Sequence, residues 1–189
     1  MEIRPIEAGD APALSSFFER IPESDRTFLK EDVGDPRVLG DWVQPGTGRT
    51  IAVDDGEVVG SVEVRRLVGW SSHVGEVRLV VDPDHRGRGI GRRLARQALL
   101  DAVEMGLKKL VVEVIADQGA LIAMFRGMGF EPEALLTDHV RDRSGQMRDL
   151  IVLANSVDDQ FAALSAANCS STELASTIRS LVCPDRSRT

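Results

Sequence analysis

Tyrosine is missing altogether from this chain of 189 residues, and lysine appears only at positions 30, 108 and 109, against 20 arginines. The first absence removes the phenol as a proton donor anywhere in the protein. The second means that any cluster of positive charge is an arginine cluster. Cysteine is confined to Cys169 and Cys183, both near the C-terminus, which reads as free thiols in a reducing compartment. The three histidines, His73, His85 and His139, are scattered, and no HxxxH or CxxC spacing occurs, so no metal site is expected. A GxSxG elbow is also lacking, which argues against a serine hydrolase. No apolar run approaches the roughly 18 residues of a membrane span. The opening MEIRPIEAGD has no apolar stretch of the kind a signal peptide needs. A soluble, cytoplasmic protein without membrane or metal partners is the expectation.

What is present is an ordinary globular composition, 42% hydrophobic and 28% charged, long enough to bury roughly 70% of its unfolded surface. A net charge of −7 speaks against nucleic-acid binding by bulk electrostatics. Ile3–Ile6 reads as a short strand, and Asp10 offers an N-cap for a helix through Arg20. A second helix is expected over Ser24–Glu31. Asp35-Pro36 looks like an N-cap and N1 pair opening a short helix that carries Leu39 and Trp42, the latter read as core. Strands at Thr50–Val53 and Val58–Leu67 flank Asp54-Asp55-Gly56, a hairpin signal, and Val74–Val81 is a third strand. A helix over 90–105 repeats its apolar positions at helical spacing and ends at Gly106. A buried-type strand at Leu110–Ile115, a short helix capped by Asp117, and a strand at Asp149–Ala154 complete the body. This mixed order predicts an α+β fold, a largely antiparallel sheet with helices on both faces. Composition shifts to Ala and Ser near Asn155. Residues 1–155 therefore read as one domain, and 156–189 as a helical extension packed on it or on a second copy in a homodimer.

The most informative stretch is Val81-Asp82-Pro83-Asp84-His85-Arg86-Gly87-Arg88-Gly89-Ile90-Gly91, followed by Arg92 and Arg93. A buried strand enters a glycine-rich turn that runs directly into a helix. Glycines at alternate positions allow close backbone approach, and the first-turn amides attract an anion. Arg86, Arg88, Arg92, Arg93 and Arg96 add positive charge with no acid between them. The pattern lacks the third glycine of GxGxxG and any following GKS or GKT, so neither a dinucleotide fingerprint nor a Walker A loop is present.

This stretch resembles the acetyl-CoA loop of the GNAT N-acetyltransferase superfamily, whose pattern is R/Q-x-x-G-x-G/A, and the element order over about residues 2–154 agrees. The resemblance implies an acyl-CoA N-acyltransferase fold whose sheet splays between its fourth and fifth strands, with acetyl-CoA as co-substrate. Carried over by position, the backbone of Leu79, Val80 and Val81 would bind the pantetheine arm. Arg86, Gly87, Arg88, Gly89, Ile90, Gly91 and Arg92 would hold the pyrophosphate. Gln118 stands where many members have an Asn. Glu76 matches a glutamate that acts as general base in several protein-acetylating members, although Arg78 shares its strand face and would lower its pKa. Phe125 stands where many members carry the Tyr that protonates the departing thiolate.

The activity implied is transfer of acetyl from acetyl-CoA to a primary amine, by direct attack in a ternary complex. The acceptor, a small molecule or a protein amine, is left open. The alternative is a non-catalytic acyl-CoA-binding regulatory module, motivated by Phe125. Two further segments bear on the acceptor: Gly69–His73, where His73 reads as a loop histidine or a base, and Asp138–Gly145, read as a solvated hairpin tip or, by its position, as a lining of the acceptor side.

Overall fold

The computed structural model describes residues 1–26, 29–44 and 47–158. Its elements are β1 (Glu2–Pro5), α1 (Ala11–Arg20), α2 (Glu23–Arg26), α3 (Pro36–Trp42), β2 (Arg49–Asp54), β3 (Glu57–Arg66), β4 (Val74–Val81), α4 (Ile90–Glu104), β5 (Lys109–Ile115), α5 (Gly119–Arg126), β6 (Glu131–Arg141) and β7 (Met147–Ser156). The strands form one sheet in the order β1-β2-β3-β4-β5-β7-β6. Every neighbouring pair is antiparallel except β4 and β5. The β2–β3 hairpin turns on Asp55 (φ 49°) and Gly56 (φ 82°), the two positive-φ positions that match the right-handed twist of its strands.

Side chains alternate across the sheet, and each face buries its own core. On one face, α4 presents Ile90, Leu94, Ala98 and Ala102 at helical spacing, packed with Val62, Val64, Val77, Val112, Phe125 and Leu153. The helix lies close to β3 because Gly60 leaves room, a Cβ there falling 2.8 Å from Leu94 Cδ1. On the other face, Leu14, Phe17 and Phe18 of α1 pack with Leu39, Val43, Ile51 and Val58.

Most strand ends differ from the sequence expectation by one or two residues, and three larger differences bear on the site. Of the helix expected over Ser24–Glu31, the described residues show Glu23–Arg26 as helix; Lys30 and Glu31 lie outside it and are ion-paired to the sheet. The helix expected to be capped by Asp117 has Gln118 at its N-cap position and runs from Gly119 to Arg126, and the Asp117 carboxylate pairs with Arg148 at 3.0 Å. The region expected as a hairpin tip from Asp138 is strand as far as Arg141, with register shifts between Leu136 and Val140 and Asp138 at φ 51°. Most of the C-terminal extension, with Cys169 and Cys183, lies outside the described residues. Its start is anchored, since Val157 is buried and its N–H donates to the Lys108 carbonyl at 3.1 Å. Among the described residues no helix is long and apolar enough to cross a membrane.

Candidate active site

The site begins where a ladder stops. β4 and β5 pair over only three positions, Val74↔Lys109, Gly75↔Leu110 and Glu76↔Val111, and then diverge. Leu67 N–H to Val74 O and Asp82 N–H to Val59 O fix the even-numbered residues of β4 as the ones bonded toward β3, whereas the His73 carbonyl faces β5. Alternation therefore turns the peptide groups of Leu79 and Val81 into the gap. Val80 turns its peptide toward β3 and packs its side chain on the α1 core. A cleft of about 1170 Å³ occupies the gap and opens on both sides of it.

The glycine loop closes one end. Gly87 (φ 76°) and Gly89 (φ 79°) sit in the left-handed region, which a side chain makes costly. Gly89 occupies the N-cap position of α4 and makes no side-chain cap. The amides of Ile90, Gly91 and Arg92 thus stand at the positive end of a 15-residue helix without a capping acceptor. Asp82 anchors the loop from below: buried, it accepts from Arg20 Nε at 2.9 Å and from the Asp84 amide at 3.0 Å. Burial would raise its carboxyl, but these donors and the nearby His85 hold it below the ordinary value. Arg86 lines the cleft and is also held from behind. Its Nη2 pairs with Asp25 at 2.6 Å and its Nε donates to the Val81 carbonyl, so it ties the loop to α2. Arg88, Arg92, Arg93 and Arg96 enter no ion pair among the described residues and carry the exposed positive charge.

The opposite side of the cleft is a charged sheet face. Arg49, Glu63, Arg65, Glu76, Arg78 and Glu113 project from β2 through β5, and Lys30 and Glu31 reach them from the chain before α3. Glu63 is bonded to Arg49 at 2.6 Å, and the Arg49 guanidinium lies 3.6 Å over the Trp42 ring. Burial lowers the Arg49 pKa to about 10 against the opposing pull of Glu63. Arg78 bonds Glu76 at 3.1 Å and also pairs with Glu31. Glu76, with a side chain 8% exposed, stands at the last paired rung of the ladder and accepts from Lys30, whose ammonium also lies 2.9 Å from Glu113. Burial favours the neutral acid at Glu76, but the Lys30 and Arg78 hydrogen bonds outweigh it and keep its carboxyl below the ordinary range.

The structure brings Glu76, Leu79, Val80, Val81, Arg86, Gly87, Gly89, Ile90, Gly91, Arg92 and Gln118 to this one cleft. Arg88 sits on the exposed loop between Gly87 and Gly89. Phe125 is fully buried, edge-on to Phe130 at 5.1 Å. Trp42 serves both as packing partner of Phe18 and as cleft wall. His139 and Arg141 of β6 also line the cleft, whereas His73 is exposed on the β3–β4 connection and its carbonyl accepts from the Lys108 and Lys109 amides. Lys30, Arg49, Glu63 and Glu113 escaped the sequence reading. The available signal was a charged residue inside an apolar strand, Glu63 between Val62 and Val64 and Glu113 between Val112 and Val114. Among the described residues no group of three or more His, Cys, Asp or Glu is placed to hold a metal.

Residues 14–130 match the acetyltransferase (GNAT) family. The chain belongs to that family, and its class of activity is N-acetyl transfer. It is 27% identical over 135 residues to the uncharacterized N-acetyltransferase YjgM of Escherichia coli (strain K12), spanning 68% of this chain and 81% of that protein. It is 34% identical over 110 residues to the N-alpha-acetyltransferase RimI of Mycobacterium tuberculosis, spanning 53% of this chain and 68% of that protein. The crystal structure of ribosomal-protein-alanine N-acetyltransferase from Brucella melitensis aligns with a TM-score of 0.74 at 25% identity, covering 82% of this chain and 99% of that one. Salmonella typhimurium yncA, solved with its cofactor acetyl-CoA, shares the fold with a TM-score of 0.74 at 19% identity, covering 84% of this chain and 94% of that one.

Proposed function

We propose that the protein transfers acetyl from acetyl-CoA to a primary amine that enters from the charged sheet face, with Glu76 as the base. The observation that carries this reading is the continuity of the cleft: peptide groups of Leu79 and Val81 face the gap, and the gap runs into the uncapped N-terminus of α4. That combination fits a pantetheine arm and a pyrophosphate. Leu79 and Val81 would hydrogen-bond the arm, the Gly87–Arg92 amides would hold the phosphates, and the unpaired arginines of the loop and α4 would neutralise their charge. Acetyl-CoA supplies the activated thioester. Gln118, at the start of α5, lines the wall nearest β5 and has a side-chain amide to offer the arm.

The chain's own contribution to the chemistry is threefold. Glu76 and Glu113 attract an ammonium and place it at the fork of the sheet. Glu76, alone or through water, receives the proton the amine must shed. Peptide N–H groups of the splayed β4 edge stand where negative charge develops on the carbonyl oxygen. No side chain takes the place of a phenol, because Phe125 is core; a thiolate is a tolerable leaving group and takes its proton from solvent. Relatives named as N-alpha-acetyltransferases support an amine acceptor without identifying it.

The test is CoA release from acetyl-CoA against a panel of amines, in the native protein and in Glu76→Gln. Turnover that drops about 10²- to 10⁴-fold in the variant supports the base assignment. Thermal stabilisation by CoA with no turnover on any amine would return the non-catalytic reading.

A further inference from the structure

Lys30 is the single lysine on a face otherwise built with arginine. Arg49, Arg65 and Arg78 supply the other positive charges there, each paired with a glutamate. Lys108 and Lys109, the remaining lysines of the chain, sit at the start of β5 and pair with Asp158 and Glu133 on the surface. A guanidinium stays charged at any working pH and is a poor nucleophile, whereas a lysine is a primary amine. This lysine stands at one particular place. Its Nζ bridges Glu76 on β4 and Glu113 on β5, across the point where the ladder between those strands ends. It lines the same cleft as the glycine loop, with 42% of its side chain still exposed.

Glu76 and Glu113 together call for a cation. Arg78 covers one oxygen of Glu76; the second oxygen of Glu76 and the Glu113 carboxylate are covered by Lys30. An acceptor amine arriving as its ammonium carries the same charge and the same donors, and would be held by the same two carboxylates. Resting on the assignment of acceptor chemistry to Glu76, we infer that Lys30 occupies the acceptor-amine site as an internal substitute, and that the enzyme acetylates it when no acceptor is present. The step balances without a further reactant. The Lys30 ammonium gives a proton to Glu76, Nζ attacks the thioester carbonyl, the N–C bond forms and the C–S bond breaks. The CoA thiolate leaves and is protonated, and one proton is released in total. The product amide has no charge with which to bridge the two glutamates, so acetylation clears the ammonium site for an incoming acceptor.

The experiment incubates the full chain with acetyl-CoA alone, followed by intact-mass measurement and peptide mapping. One acetyl group on Lys30, with Lys108 and Lys109 unmodified, is the expected result. Acetyl phosphate, a non-enzymatic donor, serves as the control and should label exposed Lys108 ahead of Lys30. Lys30→Arg should take up no acetyl group and keeps a cation on the two carboxylates, so Lys30→Ala should show a KM for an added amine about 3- to 10-fold below that of Lys30→Arg, as removal of an internal competitor requires. Labelling that favours Lys108 or Lys109, or an unlabelled Lys30 in protein that turns over an added amine, overturns the inference and leaves the acetyltransferase reading intact. An unlabelled Lys30 in protein that turns over no amine counts against both.

Discussion

At the scale of single residues, the sheet face beside the cleft is governed by pairs that cannot be separated cheaply. Arg49 and Glu63 are both nearly inaccessible to solvent and bonded at 2.6 Å, with Trp42 stacked on the guanidinium. Removing one partner strands the other charge in a dry environment. Arg49→Met should therefore cost about 3–5 kcal/mol in urea unfolding, and Arg49→Met with Glu63→Leu should recover most of it. A double variant as unstable as the single one would mean that Trp42 stacking, not charge compensation, is what Arg49 contributes. Glu76 and Arg78 were legible as a same-face pair from strand period alone. Glu113, Glu31 and Lys30 were not, because their meeting depends on which strands become neighbours and where the chain before α3 lands. Asp101 on α4 runs against the trend. Its Oδ2 is buried with no close hydrogen-bond partner among the described residues, and burial raises its carboxyl against the opposing pull of Gln97 and Thr50. A carboxyl raised in the folded state favours folding at pH below its unfolded value of about 3.9 and loses that contribution as pH rises through its folded value. Asp101→Asn should accordingly raise stability at pH 7, with the gain shrinking to nothing in acid, as read from thermal melts at the two pH values.

At the scale of elements, the strand, loop and helix from Val74 to Glu104 carry most of the specific information. Their order could be read directly: an apolar strand, alternating glycines and arginines, and then a long amphipathic helix. The structure adds that Asp82 and Arg86 are structural members of this unit, one bonded to Arg20 and the other to Asp25. Sequence pattern gives charge but not partner, so the pairing of Arg86 with Asp25 is visible only in the structure. If the uncapped helix end and the remaining arginines bind CoA, CoA at about 100 times its Kd should stabilise the protein by about 2.7 kcal/mol, which corresponds to a Tm increase of about 5–10 °C for a chain of this size. Gly89→Ala forces a Cβ into a left-handed N-cap and should lower the ligand-free stability by about 1–2 kcal/mol. It should also reduce the CoA-induced shift, whereas Gly9→Ala, in open space, should leave that shift unchanged.

For the molecule as a whole, the antiparallel character of the sheet, the helices on both faces and the splay were all expected from the element order and the family resemblance. Helix and strand ends were less accessible. Ion pairs between distant segments, such as Asp117 with Arg148 and Lys30 with Glu76 and Glu113, lie beside two of them, and such pairs leave no local trace in the sequence. The interrupted ladder has a mechanical consequence. It divides the sheet into two plates, β1–β4 and β5–β7, joined along a seam of three backbone rungs. Past the seam no backbone bond between β4 and β5 sets the angle between the plates. In the core beneath, Val77 of one plate shares a cluster with Val112 and Leu153 of the other. On the far side, the Lys30 ammonium clasps Glu76 and Glu113 across the divide. Beyond the seam the two plates are therefore bridged by side chains rather than by a backbone ladder: an apolar cluster on one face and an ammonium between two carboxylates on the other.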